Sequence, residues 1–331
     1  MAENTPAAAP SGMARPVAQQ RLTKQRSLWG DAFRRLIHNR LSVIGLLIFL
    51  SLVTLAVIGP AIAPYPYMLQ NLDEVAKGPS LKHLLGTDDL GRDFLSRILW
   101  GARTAGIVAI MTTFTSLFLG VILGSIAAYL GGWVDWLISR IIDIIMSVPE
   151  ILFASLLAAS VREPITVFVD QMYKQTGSSF FRTTTYIDFI VVFGALALVH
   201  WPGYARLIRG QILSLRQKEY IEAARAVGVN PTRVLLRHLI PNALGPIVVA
   251  VTFGFASAIV AESGLSYLGI GIQPPQASWG AMINDNRLSW RYRPWLTVAP
   301  GLVVGIVSLG INFLGDGLND ALNPRSASGR K

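Results

Sequence analysis

The sequence predicts an all-α membrane protein of six transmembrane helices, with both termini cytoplasmic and a helical element on the cytoplasmic side between spans 4 and 5. Three observations predict it. Of 331 residues, 52% are hydrophobic and only 15% charged, against about a quarter charged in soluble domains. Charge-free runs recur at the length that crosses a bilayer, roughly 20 residues. The basic residues alternate between the two sides that these runs define.

The spans are placed at about 41–63, 104–130, 136–161, 187–209, 242–262 and 294–316. An even number puts both termini on one side. Residues 1–40 and 206–238 each hold seven Lys/Arg against two acids, and the tail 319–331 holds three against one. Of the intervening segments, 64–103 holds five against five, 162–188 three against three and 271–293 three against one, so their sum is the less basic. The basic side is cytoplasmic by the positive-inside rule. The net charge of +10 is therefore mostly topology. Nucleic acid is not an expected partner, because the charge is split among short loops beside spans; membrane lipid is.

Residues 1–26 are rich in Ala, Pro and Gln and read as a disordered cytoplasmic N-terminus. A secretory signal is not expected, because the first apolar run starts late and is span-length. In 27–40, Trp29, Phe33, Leu36 and Ile37 fall at helical spacing, with Arg34, Arg35 and Arg40 elsewhere. That suits an amphipathic helix in the inner interface; a plain extension of the first span is the other reading. Pro60, Pro64 and Pro66 are expected to end span 1. Phe94–Leu99 reads as a short helix leading into span 2. Asp88, Asp89 and Asp93 lack the spacing of a metal loop, so helix capping by Thr87 or an Asp is expected.

Gly120 and Gly124 form a small-xxx-small pair for close helix approach, and Gly131-Gly132 a tight turn. Span 3 carries Arg140, Asp143 and Glu150, with a kink expected at Met146–Pro149. Arg140 and Asp143 are spaced to pair on one helix. Ionisable groups inside a membrane are functional by default, and Glu150 is placed to line a water-filled path. Residues 162–186 read as a polar loop. Trp201 and Tyr204 read as interface anchors. Glu262 heads a Gly/Pro/Ser-rich segment read as irregular or re-entrant; it either lines the pathway or is a polar helix end met by neighbouring amides. Gly315, Gly317 and Pro324 are expected to close the fold, ahead of a cytoplasmic tail, 325–331.

Cysteine is absent, which removes disulfides, thiolate metal sites and a cysteine nucleophile. The four histidines are scattered and no metal site is expected. There is no GxxxxGK[ST] loop, so the chain cannot by itself be a P-loop ATPase. No HExxH or GxSxG motif occurs, and no catalytic residue is assigned.

Between spans 4 and 5 lies EYIEAARAVGVNPTRVLLRHLIPNAL. Tyr220, Ile221, Ala224 and Val227 mark one apolar helical face. Gly228 sits where a helix closes in a left-handed cap. Asn230-Pro231 restarts a helix, with Asn as N-cap and Pro at the first position. Val234, Leu235 and Leu239 mark a second apolar face, and Pro241 is expected to stop it. A DNA-binding helix-turn-helix fits the spacing superficially, but not six spans around it. A solvated loop does not ordinarily need two capped helices. A rigid docking knob for a cytoplasmic partner does.

EAARAVGVNPTRVLLRHLIP resembles the EAA-type signature of ABC importer permeases. GTDDLGRDFLSRILWGAR, DIIMSVP, GYARLIRGQILSLRQKEY, ESGLSYLGIGIQPPQASWGAMI and NFLGDGLNDALNP are similar to further blocks of the dipeptide/oligopeptide/nickel-type subfamily, in the family's order. The resemblance covers roughly Arg34 to Pro324; the loop QMYKQTGSSFFRTTT is longer than the pattern. It implies a permease subunit of an ATP-driven importer in the inner membrane of a prokaryote. Implied partners are a second homologous permease, two cytoplasmic ATPase subunits that bind ATP-Mg, and an extracytoplasmic solute-binding protein. This chain would hold no cofactor. The coupling helix between spans 4 and 5 would carry Glu222, Ala223, Ala224, Arg225, Gly228, Asn230 and Pro231, with Glu150 and Glu262 as pathway residues. The competing expectation is a proton-coupled secondary transporter with Asp143, Glu150 and Glu262 as its relay.

Overall fold

A computed structural model describes residues 28–178 and 185–322. The expected disorder of 1–26, part of the 162–186 loop, Pro324 and the tail fall outside the described residues. Within them the protein is helical, with one isolated β-bridge between Thr87 and Asp93. Six helices are long and apolar enough to cross a membrane: α2 (Arg40–Ile62), α3 (Phe94–Leu130), α5 (Glu150–Thr176), α6 (Thr185–Arg216), α10 (Leu244–Tyr267) and α12 (Trp295–Leu322). They are joined by α1 (Leu28–His38), α4 (Gly132–Ser147), α7 (Glu219–Ala226), α8 (Pro231–Val234), α9 (Ile240–Asn242) and α11 (Trp279–Asn286).

Helix α1 forms where the spacing predicts it, burying Leu36 against Leu314 and Ala321 of α12 while Phe33 and Ile37 stay exposed. Asn39 caps α2, its side chain accepting from the Leu41 N–H. Pro60 does not end α2: the helix runs two residues further, to Ile62. A proline in the last turn forfeits one N–H bond and little else. Helix α3 is longer than expected. The short lead-in helix and span 2 are one continuous element, because no breaker lies between Phe94 and Leu130. Asp93 caps it, accepting from Ser96 N–H at 2.8 Å.

Glycine sets the closest helix contacts. A Cβ at Gly120 would lie 2.4 Å from Tyr204 Cβ, and one at Gly124 2.5 Å from the Ala205 carbonyl. Helices α3 and α6 therefore pack backbone to backbone, as the small-xxx-small spacing predicts. Trp201 and Tyr204 are buried in this seam, not placed as interface anchors; the helix continues well past them, to Arg216. Gly45 of α2 likewise meets the backbone of Gly310 and Leu314, while Gly310 and Gly317 make room for the side chains of Ile48 and Ser42. Gly315 and Gly317 thus lie inside α12 as packing sites, not as closing turns.

Span 3 is broken, not kinked. Helix α4 ends at Ser147, Val148 and Pro149 are extended, and α5 begins at Glu150. The residue before a proline is pushed out of the helical region, so Val148-Pro149 separates two helices. Helix α5 then continues to Thr176 through Pro164, ending in a left-handed Gly177. Most of the expected loop 162–186 is therefore helix.

The Gly/Pro/Ser-rich segment after Glu262 is also more regular than expected. Helix α10 carries five residues past Glu262 to Tyr267, turns at Gly269, and leads to α11. Trp279 of α11 is buried, donates to the Ile98 carbonyl at 3.0 Å, and sits on Gly101 of α3. At this loop-rich end His83 lies between Asp93 (2.8 Å) and Glu74 (3.1 Å), and Lys82 meets Glu74 at 2.5 Å. These donors hold the Glu74 carboxyl down at about 2, Lys82 first and His83 second.

Candidate functional site: a helical knob and a midplane cleft

The segment after α6 folds into two short helices on a buried foot. Ile221 of α7 is fully buried with Ile208, Ile212, Val234, Leu239, Ala243 and Ile247. These residues come from α6, α10 and the knob itself, so the knob is clamped to the adjoining ends of two span-length helices. Arg216 adds a bond to the Ala128 carbonyl at the end of α3 (2.7 Å).

Helix α7 ends as the sequence predicts. Gly228 has φ +77°, and the Val229 N–H donates to the Ala224 carbonyl at 3.1 Å, the six-to-one bond of a Schellman cap. Nothing approaches the site where a Gly228 Cβ would stand, so glycine is required there by backbone angle and not by space. Asn230 Oδ1 accepts from Thr232 N–H at 2.9 Å, and Pro231 opens α8. Arg225 lies within α7.

Two details differ from expectation. Tyr220 and Val227 do not join the buried face: they are 46% and 81% exposed, alongside exposed Glu222 and Ala223. The free face of α7 is thus partly apolar, which a merely solvated helix does not need. Pro241 does not stop the second helix either. Residues Leu235–Leu239 widen into a π-turn, and helical backbone passes through Pro241 to Asn242. A π-turn relieves the proline ring of its clash with the preceding turn.

The second feature lies between the span-length helices α5, α6, α10 and α12. Glu150, the first residue of α5, faces His200 of α6, with Oε1 and Nε2 2.5 Å apart. Further along the same helix pair Arg162 bonds Asp188 and also donates to the Ile270 (3.0 Å) and Gly271 (2.8 Å) carbonyls. Glu150 to Arg162 and Asp188 to His200 are both twelve residues, or about 18 Å of helix. Asp188 stands in the first turn of α6, so Glu150 and His200 meet about 18 Å further along the helix pair. It lines a cavity of about 400 Å³ with Phe253, Ser257 and Val260 of α10 and Ser308 and Asn312 of α12.

The other expected carboxylates are placed elsewhere. Glu262 is wholly buried; Ser266 and Ser278 hydroxyls donate to it at 2.8 Å, and Ser263 at 3.4 Å. Serine hydroxyls, rather than amides, satisfy it. Asp143 pairs with Arg140 (3.3 Å), as the spacing predicts, and with Arg206 (3.1 Å). The three carboxylates thus belong to three separate clusters, and no proton relay is assembled from them. Sequence reasoning missed His200, Ser257, Ser308 and Asn312. Ser308 and Asn312 are one helical turn apart in an apolar run, a detectable signal. It also missed Arg209, which forks onto both oxygens of Asp135 (2.5 and 2.7 Å) and ties α4 to α6.

Comparison with known proteins places this architecture. Residues 120–328 match the family described as binding-protein-dependent transport system inner membrane component. Residues 27–79 match the N-terminal TM domain of oligopeptide transport permease C. The chain is 37% identical over 302 residues to the dipeptide transport system permease protein DppC of Alkalihalophilus pseudofirmus, covering 91% of each chain. It is 36% identical over 320 residues to the oligopeptide transport system permease protein OppC of Bacillus subtilis, covering 97% of this chain and 96% of that one. A glutathione transport system permease protein, GsiD of Pectobacterium atrosepticum, is 35% identical over 306 residues. Among solved structures, an inward-facing MetNI methionine ABC transporter chain overlaps 67% of this chain and 96% of its own, with a TM-score of 0.45 at 20% identity.

Proposed function

The chain belongs to the family of binding-protein-dependent transport system inner membrane components, as a multi-pass membrane permease, and from that premise we propose that it forms half of the translocation pathway of an ATP-driven importer for peptides or similar small solutes. The other half is a second, homologous permease. ATP-Mg binds to two separate cytoplasmic ATPase subunits, and a solute-binding protein delivers the cargo on the opposite side. The termini and the knob face the cytoplasm of a prokaryote. Transport proceeds by alternating access, with ATPase closure biasing the two states.

The knob carries this reading. Its buried foot joins α6 and α10, while Tyr220, Glu222 and Ala223 of α7 and Val227 just after it are exposed. An element so anchored passes a push on its exposed face directly to two spans. Glu222 is the charged contact for an ATPase groove, Ala223 and Ala224 keep the surface thin, and Gly228 makes the turn. Glu150 lines the pathway in its midplane cleft.

The test is ATP-driven uptake in proteoliposomes holding the complete importer. Gly228→Pro and Glu222→Arg are expected to abolish uptake while the subunit inserts and the two permeases co-purify. Normal uptake by an inserted Gly228→Pro protein would refute the docking role.

A further inference from the structure

We infer that the midplane cleft is a cation-selective station of the pathway, at which Glu150 draws in the ammonium group of the passing solute. The inference rests on the proposed pathway and adds to it a chemical class of ligand. Every other carboxylate of the expected trio is satisfied: Glu262 by three serines and Asp143 by two arginines. Glu150 is different. One oxygen meets His200, and the side chain remains 47% exposed toward the cleft. His200 Nε2 stands 2.5 Å from that oxygen and fixes where the carboxylate points.

Across from it stand Ser257, Ser308 and Asn312. All three offer hydrogen bonds, and none offers a competing positive charge. Phe253 and Val260 make up the apolar wall. An anion exposed at membrane depth, without a cationic side chain of its own, is held at a cost. Glu150 also opens α5, where the positive end of the helix dipole favours a carboxylate, and among the described residues no arginine or lysine pairs with it. A volume of about 400 Å³ admits a short peptide terminus, and no cation on the walls repels its ammonium.

The absence of cysteine makes a direct test possible. Ser257→Cys is placed in the assembled importer in membrane vesicles. It is then reacted with a trimethylammonium-ethyl methanethiosulfonate and with its anionic sulfonatoethyl counterpart, and labelling of this chain is read by mass. The cationic reagent is expected to react faster, and Glu150→Gln to lower the cation-to-anion rate ratio by about tenfold, the size of an attraction across several Å of partly screened medium. Glu150→Asp should restore the ratio, which a shape effect would not. If both reagents react and Glu150→Gln leaves the ratio unchanged, the cation station is refuted and the pathway stands. If neither reagent reaches position 257, the cleft is sealed from water and the pathway assignment fails with it. Ser308→Cys repeats the measurement from α12 should the first variant not assemble.

Discussion

At the scale of single residues, charge placement follows from what each carboxylate can reach. Glu74 accepts from Lys82, His83 and Asn71, and its carboxyl is held at about 2 rather than its ordinary 4.5. A depressed folded-state value contributes stability that is fully present above the unfolded value and is lost as pH falls towards the folded one. Residues 71–88 should therefore lose amide-exchange protection, corrected for intrinsic rates, between about pH 4.5 and 2. In Glu74→Gln, protection should already be reduced at pH 6 and stay flat through that window. A wild-type profile unchanged down to pH 2 would show that the loop-rich end does not depend on this carboxylate. Gly228 illustrates the opposite kind of constraint. Nothing crowds it, and only its positive φ demands glycine.

At the scale of elements, two devices hold the bundle: glycine-lined seams and arginine clamps. Gly124 is in contact with the α6 backbone, whereas Gly203 on α6 has open space around it. Gly124→Leu should overpack the α3–α6 seam and cost about 1–3 kcal/mol. Gly203→Leu should change stability by no more than about 0.5 kcal/mol. Thermal unfolding in detergent compares them; equal midpoints would mean that the seam does not depend on backbone proximity. The clamps work over longer separations in sequence. Arg209 joins α4 to α6, Arg162 joins α5 to α6 and to the turn after α10, and Arg216 joins α6 to α3. Helix α6 is thus tied to its neighbours near both ends, and the knob grows from its far end. A displacement of α7 consequently reaches α6 first.

At the scale of the whole molecule, the arrangement separates two tasks. The knob, α1 and the end of α12 lie at one end, the capped network of Glu74, His83 and Asp93 lies at the other, and the cleft is between them. With the knob cytoplasmic, Thr176→Cys at the end of α5 should label from outside intact cells with an impermeant thiol reagent. Thr232→Cys beside the knob should label only after permeabilisation. The reverse pattern would invert the topology and remove the knob from reach of any cytoplasmic ATPase. The chain's lack of cysteine makes both variants single-site reporters.

Apolar run length, charge bias, and the caps at Gly228 and Asn230 determined the six spans and the two-helix knob from sequence alone, because each depends on neighbours within about one helical turn. The helix lengths were less legible. The unbroken run Phe94–Leu130 was legible in its lack of proline, but nothing local told that Pro241 rides through a π-turn or that 162–176 stays helical. Tertiary structure alone decided which polar residues meet: Glu150 with His200, Arg209 with Asp135, Glu262 with three serines of which one lies sixteen residues away. It also decided that Glu262 is sealed while Glu150 opens on a cleft. The physical reason is that a helix prescribes the spacing of its side chains but not its own rotation. Rotation is settled by packing against helices distant in sequence, here by where Gly45, Gly120 and Gly124 let backbones touch.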